Sequence, residues 1–372
     1  MSSPEPWVLQ ICHGYDGPFL DCARQYASLF VGTRYKVMTV YLTGAADAEV
    51  VAGSASDEVV FLGYGSRDMR GLKVRAIRDV SRLARSRDFK LCIAHRFKST
   101  YIACLGTGLP VIGVNHAFGV YQRLSRRFFA NVFRQRLLLL GVSDAVRDDI
   151  RNNLAGWSQE RILSLYNRID IAQAQARVIP REGARQALGL PCDAWVVGNV
   201  GRLHADKDQA TLLRAFAAAL PQLPSNSVLV ICGKGRLEVS LKALSAELGI
   251  AERTLFLGQV PDARRFFQAF DVFALSSDHE PFGMVLLEAM AAGVPLISTD
   301  CGGAREVVKD VGVLFPLGDS AALAESLVKL STLSVEQVRQ CRLAMSQRLQ
   351  ERFSDSAVQQ RFWALPFTSH FH

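Results

Sequence analysis

The sequence is poor in the features that would make it a membrane-spanning, disulfide-framed or zinc-bound protein. Its longest apolar candidate, Leu137-Leu138-Leu139-Leu140-Gly141-Val142, follows Arg134 and Arg136 and is far too short to cross a bilayer, so it reads as a short buried strand. Eight cysteines stand at 12, 22, 92, 104, 192, 232, 301 and 341 without one C-x-x-C pair, and Cys12, Cys92 and Cys232 fall inside apolar strand-like runs. Cysteine used as a small hydrophobe in a reduced chain explains this better than a disulfide frame or a zinc site. The opening MSSPEPW lacks a charged region followed by an apolar stretch, so a secretory signal is not expected and a cytoplasmic location is. A full G-x-G-x-x-G fingerprint is also missing, because Cys232-Gly233-Lys234-Gly235 is followed by Glu238 where the third glycine belongs. That counts against an NAD-dependent oxidoreductase.

What is present is a packed globular chain, with 372 residues, 49% apolar and 21% charged, about right for two domains. Its charge is unevenly spread: residues 1–185 hold 26 Lys+Arg against 16 Asp+Glu, and residues 186–372 hold 17 against 19. The whole positive excess sits in the first half, which suggests an anionic partner there: nucleic acid, anionic lipid or a phosphorylated substrate.

Short apolar strands alternate with amphipathic helical stretches, the pattern of α/β units on a parallel sheet. The first series is Trp7–Cys12, Tyr35–Leu42, Glu58–Leu62, Lys90–Ala94, Pro110–Asn115 and Leu137–Val142. A break around 170–192 carries Ile179-Pro180-Arg181-Glu182-Gly183 and Leu190-Pro191. The second series is Ala194–Val200, Val228–Cys232, Thr254–Leu257, Val272–Leu275 and Pro295–Thr299. The pattern predicts two doubly wound, Rossmann-like domains, 1–180 and 185–354, facing each other across a cleft. Ligands are expected at the carboxyl ends of the strands. A helical segment from Phe353 to Trp363 is placed so that residues 355–372 pack back on the first domain.

Several strand-end turns carry residues suited to a phosphorylated ligand. Glu280-Pro281-Phe282-Gly283 follows an apolar strand and opens a helix, Met284 to Ala291, that carries Glu288. Eight helical residues rise about 12 Å, so the two glutamates cannot serve as acid and nucleophile on one glycosidic bond, but they suit opposite ends of an extended ligand. Free amides near Gly283 and Met284 offer a phosphate seat between them. Gly198-Asn199-Val200-Gly201-Arg202-Leu203 ends another strand, and Lys207 follows where the next helix begins. An arginine and a lysine at such a turn suit a diphosphate leaving group. Cys232-Gly233-Lys234-Gly235 and Cys301-Gly302-Gly303-Ala304-Arg305-Glu306 are two further turns, the former with glycines that let backbone approach a ligand.

Taken in order from Val200 to Glu306, these elements resemble the C-terminal nucleotide-binding domain of the retaining GT-B glycosyltransferases of family 4. The resemblance implies that Arg202 and Lys207 bind the donor diphosphate, that Glu280 touches the donor sugar's hydroxyls and that Glu288 binds the ribose hydroxyls. Gly258-Gln259-Val260 would lie by the base, with Gly233, Phe282, Gly283, Met284 and Val285 also in the donor site. In the first half the match is looser. Gly17 of the Cys12–Pro18 turn stands where the family has a Gly-Gly loop and is assigned to the donor phosphate. His116, in Asn115-His116-Ala117-Phe118, occupies the position of the family's sugar-contacting histidine, and His95 is a similar strand-end histidine. Val142-Ser143-Asp144 resembles a later family landmark, while the usual Pro-Asn-Gly is replaced by Tyr166-Asn167-Arg168. The catalytic set so implied is Glu280, His116, Arg202 and Lys207.

The closest overall likeness is to bacterial lipopolysaccharide core enzymes. It implies a metal-independent, retaining hexosyltransferase that uses UDP-glucose or UDP-N-acetylglucosamine on an anionic glycolipid or glycan; GDP- and ADP-sugars use the same frame. No other cofactor and no nucleic acid is expected. A nucleotide-sugar epimerase of the same fold and a non-enzymatic basic membrane-binding protein are the alternatives. Asp206-Lys207-Asp208 is formally the D-x-D of metal-dependent transferases, but its place at a helix start fits N-terminal capping better. Residues 121–136 mix five arginines with Tyr121, Phe128, Phe129 and Phe133. They read either as a helix lying on an anionic membrane, aromatics down, or as a domain helix with core aromatics and solvated arginines.

Overall fold

The structure, a computed structural model, describes residues 5–17 and 19–371. It contains two parallel sheets, each in its own compact unit. The first unit runs to Asn167 and resumes at Asp355; the second is Arg168–Ser354.

The first sheet has seven strands: β1 (Trp7–Cys12), β2 (Lys36–Tyr41), β3 (Glu58–Phe61), β4 (Phe89–His95), β5 (Val111–Asn115), β6 (Leu137–Gly141) and β7 (Ile162–Ser164). Their order across the sheet is β3-β2-β1-β4-β5-β6-β7. The second has six: β8 (Val196–Val200), β9 (Val228–Cys232), β10 (Thr254–Gly258), β11 (Val272–Leu275), β12 (Leu296–Thr299) and β13 (Val313–Phe315). Their order is β10-β9-β8-β11-β12-β13. Strands covered by helices on both faces must be apolar on both, which is why all five residues of β6 (LLLLG) and of β9 (VLVIC) are buried. In the second unit Leu212, Leu213 and Phe216 of the helix Gln209–Ala219 pack against Val197, Leu229 and Ile231. Chain order reverses between β1 and β4 and again between β8 and β11. The turns after these four strands therefore flank the crevices where doubly wound sheets take ligands.

The sequence reading gave eleven of these strands within two residues and missed β7 and β13, the two three-residue edge strands. It also misplaced the boundary. Residues 168–184, expected in the first domain or the break, belong to the second unit. There Arg181 and Arg185 both pair with Asp271, at 2.7 and 2.8 Å, and the helix Ile171–Arg177 packs on the helix Met284–Ala291. The helix Asp355–Trp363 packs on the first unit: Trp363 Nε1 and Gln359 Nε2 donate to the Leu29 carbonyl, and Phe362 meets Phe30 edge-on.

The arginine–aromatic stretch is divided differently from either reading. Its helix spans only Leu124–Phe133. Tyr121 is buried outside it, and Phe129 packs among Phe97, Tyr101 and Phe133. Arg126, Arg127 and Arg136 are tied to the carbonyls of Val120, Tyr121 and Leu109. The outward apolar row is instead Leu124, Phe128 and Val132, 76, 72 and 58% exposed and spaced four residues apart, so that all three share one face. No helix among the described residues is long and apolar enough to cross a membrane.

Candidate active site

In the second unit the turns after β8, β9, β11 and β12 are stitched into one surface by backbone bonds. Leu203 N donates to the Lys234 carbonyl and Gly233 N to the Gly258 carbonyl, at 3.1 and 2.7 Å. Asp278 N donates to the Asp206 carbonyl and Ser276 Oγ to that of Lys207, holding the β11 turn against the β8 turn. Gly303 N closes the set by donating to the Glu280 carbonyl at 2.8 Å.

This stitching brings Lys207 and Glu280 together. Lys207 Nζ lies 2.6 Å from Glu280 Oε2, with the side chains only 19 and 10% exposed, although 73 residues separate them in the chain. A short, largely dry ion pair at the carboxyl ends of β8 and β11 keeps a cation and an anion ready with little reorganisation. Arg202 behaves otherwise: its guanidinium is 73% exposed and reaches Asp206 only at 3.5 Å, so it is free to swing onto an anion. Arg202 also lines, with Gly233, Gln259 and Val260, a cavity of about 400 Å³ at the ends of β8, β9 and β10. Asp208 accepts from the Thr211 amide and caps the helix Gln209–Ala219, while Asp206 faces His204 and Arg202, so the two carboxylates of the D-x-D serve different partners.

The helix Met284–Ala291 begins at Gly283, and the amides of Met284 and Val285 stand at its start, ahead of the internal ladder. Phe282 does not offer its ring to a ligand. The ring is buried and meets Phe353 edge-on, fixing the turn and leaving only backbone at the surface. Glu288 is half-buried on the same helix. The glycines have a role the sequence reading did not see. A Cβ on Gly233 would sit 1.9 Å from the Gly201 carbonyl oxygen, and one on Gly303 would sit 2.4 Å from that of Pro281. Both glycines admit the neighbouring turn, before any ligand is considered.

In the first unit Gly17 lies in an exposed turn after β1 with φ +59. His116 follows β5 and is half-buried. Its Nε2 is 3.1 Å from Nδ1 of His95, the last residue of β4. His95 in turn reaches Oε1 of Gln10, in the middle of β1, at 3.4 Å, and Cys22 Sγ lies 3.9 Å from His116 Nδ1. Burial and the Arg96 guanidinium lower the His116 pKa to about 4; burial and His116 hold His95 well below its usual range. Both rings are neutral at physiological pH. His13, at the end of β1, is likewise lowered, by burial and then by Lys98 and Arg96. Gln10, a polar residue in the otherwise apolar β1, is legible in the sequence as a signal of this hydrogen-bonded chain.

Residues 180–348 match the family of glycosyl transferases group 1. The chain therefore carries a group 1 glycosyltransferase domain, and that domain contains the Lys207–Glu280 pair. Among curated relatives, the lipopolysaccharide core biosynthesis glycosyltransferase LpsE of Rhizobium meliloti is 33% identical over 193 residues, covering 51% of each chain. The match thus spans about half the length of this relative. Among solved structures, a glycosyltransferase from Rickettsia africae superposes with a TM-score of 0.83 at 14% identity, covering 97% of each chain. Anabaena HepE in complex with UDP superposes with a TM-score of 0.79 at 21% identity, covering 98% of this chain and 100% of that one. The fold is GT-B.

Proposed function

We propose that the chain is a retaining, metal-independent hexosyltransferase that takes a hexose from a UDP-sugar, UDP-glucose or UDP-N-acetylglucosamine, to an anionic glycolipid of the lipopolysaccharide core. The observation that carries this reading is the Lys207–Glu280 pair, held between the ends of β8 and β11 beside the Met284 and Val285 amides. When a donor arrives, Lys207 exchanges Glu280 for the diphosphate and Glu280 turns to the sugar hydroxyls. Arg202 swings in from solvent, and the helix amides take the remaining phosphate charge. The bond from the anomeric carbon to the diphosphate oxygen breaks and one to the acceptor oxygen forms on the same face. The acceptor's proton passes to the departing phosphate oxygen. Gly233, Gln259 and Val260 line the cavity assigned to the base, Glu288 is assigned to the ribose, and Gly17 to the phosphates. The likeness to a protein solved with UDP and to one named for lipopolysaccharide core synthesis supports donor and acceptor class.

For an anionic acceptor, the first unit offers Arg96 and Lys98 at the end of β4. Both are exposed, and neither has an ion pair among the described residues. The row Leu124, Phe128, Val132, flanked by exposed Arg123 and Arg134, suits the face of an anionic membrane on which a glycolipid acceptor would sit. Phe128→Glu should then reduce co-sedimentation with anionic vesicles by about tenfold, through lost apolar insertion and added repulsion, and reduce binding to neutral vesicles less; equal binding by variant and parent removes this surface from the account.

The direct test is transfer from UDP-glucose and UDP-N-acetylglucosamine to a deacylated lipopolysaccharide core, with the product's anomeric configuration read by NMR. The expected product keeps the donor's configuration. Inversion contradicts the mechanism, and rapid conversion of donor alone into its epimer would favour the epimerase instead.

A further inference from the structure

The hydrogen-bond chain from β1 through β4 to His116 has only one consistent arrangement of protons. Gln10 Nε2 lies 3.0 Å from the Ala23 carbonyl, which can only accept, so the amide nitrogen is fixed on that side and Oε1 faces His95. The same nitrogen donates to Thr39 Oγ1 at 2.9 Å. The Ser56 hydroxyl is directed to the Ser54 carbonyl, which leaves Thr39 to donate to Ser56. Nothing in this anchoring can be reversed without facing two acceptors or two donors. Oε1 accepts, so His95 carries its proton on Nε2. Its Nδ1 is then a lone pair, so the proton shared with His116 belongs to His116 Nε2. That leaves His116 Nδ1 as a lone pair, with only the soft Cys22 thiol near it at 3.9 Å.

We infer that Gln10 and His95 are positioning residues that lock His116 in the Nε2–H form, so that its Nδ1 accepts a hydrogen bond from a hydroxyl and cannot donate one to a phosphate. Resting on the function proposed above, the lock gives the hexose contact already expected of His116 a fixed polarity, and it sets that nitrogen against the diphosphate. It also makes that subsite selective for a hydrogen-bond donor, since a neutral histidine with one nitrogen committed offers a single, fixed polarity. Around the chain stand the Tyr26 ring, edge-on to His95 with centroids 4.9 Å apart, Cys22 on the same helix, and Arg96 beside His116. No carboxylate contacts either ring among the described residues, and both histidines stay neutral through burial.

The test is NMR of the full chain labelled with ¹⁵N-histidine, its ring nitrogens assigned with His95→Gln and His116→Gln. In the parent protein both histidines should be protonated on Nε2 and unprotonated on Nδ1. Gln10→Leu removes the acceptor that holds the His95 proton on Nε2 and puts nothing in its place. His95 is then free to carry its proton on Nδ1 and donate to His116 Nε2, and the His116 proton moves to Nδ1. This variant should lose about tenfold or more in kcat/KM for UDP-glucose while binding UDP, which has no hexose, as the parent does. A parent His116 protonated on Nδ1 overturns the lock, whether or not the variant folds. A reversed His116 with kcat/KM unchanged overturns the specificity role. Failure of the parent to bind UDP would instead remove the transferase reading and leave the tautomer result standing.

Discussion

Lys207→Ala is expected to lower kcat/KM by about 10²–10³, the cost of removing one preorganised group that meets developing charge on a leaving phosphate. The same substitution has a second effect of different origin. Glu280, whose side chain is 10% exposed, loses the ammonium 2.6 Å away and keeps a carboxylate that water reaches poorly. Leaving a buried charge without its partner costs about 3 kcal/mol, so the second unit should also unfold at lower urea. Lys207→Ala combined with Glu280→Gln separates the two. Removing both charges should restore most of the stability and none of the turnover. Near-parental turnover in Lys207→Ala, measured below its unfolding transition, would take Lys207 out of the mechanism.

Gly233→Ala should be the most damaging single methyl group in the second unit. The added carbon would lie 1.9 Å from the Gly201 carbonyl oxygen; a Cβ is fixed by its own backbone and the oxygen is a backbone atom, so neither can rotate away. The backbone there also holds φ +152, which a side chain disfavours. The β8 and β9 turns must part, at a cost of about 3 kcal/mol, and UDP binding should fall with them because Arg202 and the 400 Å³ cavity sit on those turns. Gly17→Ala is the control. Its φ of +59 is also left-handed, but nothing lies within 4 Å of the added carbon, so a cost near 1 kcal/mol is expected. Urea unfolding of both variants checks the pair; equal effects would show that backbone conformation alone, and not the contact with Gly201, is responsible.

The contrast between these glycines shows what the sequence could carry. Short buried strands such as β6 and β9 are legible because covering both faces demands an unbroken apolar run. β7 and β13 are not, because three residues at a sheet edge leave no run to read. The order of motifs from Val200 to Glu306 singled out turns that the structure hydrogen-bonds to one another, since each motif closes a strand that the apolar pattern had already located. It did not reveal that Lys207 and Glu280 neutralise one another, because that pair depends on the β8 turn being hydrogen-bonded to the β11 turn across 72 residues, from Asp206 to Asp278. The boundary after Asn167 was hidden for the same reason: Arg185 commits its segment to the second unit through Asp271, far along the chain. His116 was visible as a strand-end histidine, while the chain that sets its proton needed the register of β1, β4 and β5 to bring Gln10, His95 and His116 into line.

The most direct measurement is calorimetric titration of the protein with UDP and with uridine, repeated on Lys207→Ala. If the strand ends of the second unit form a seat for a diphosphate, UDP binds at least about tenfold more tightly than uridine, roughly 1.4 kcal/mol, and the gap shrinks in the variant. Equal affinity for both ligands, or a gap untouched by the loss of Lys207, would contradict it.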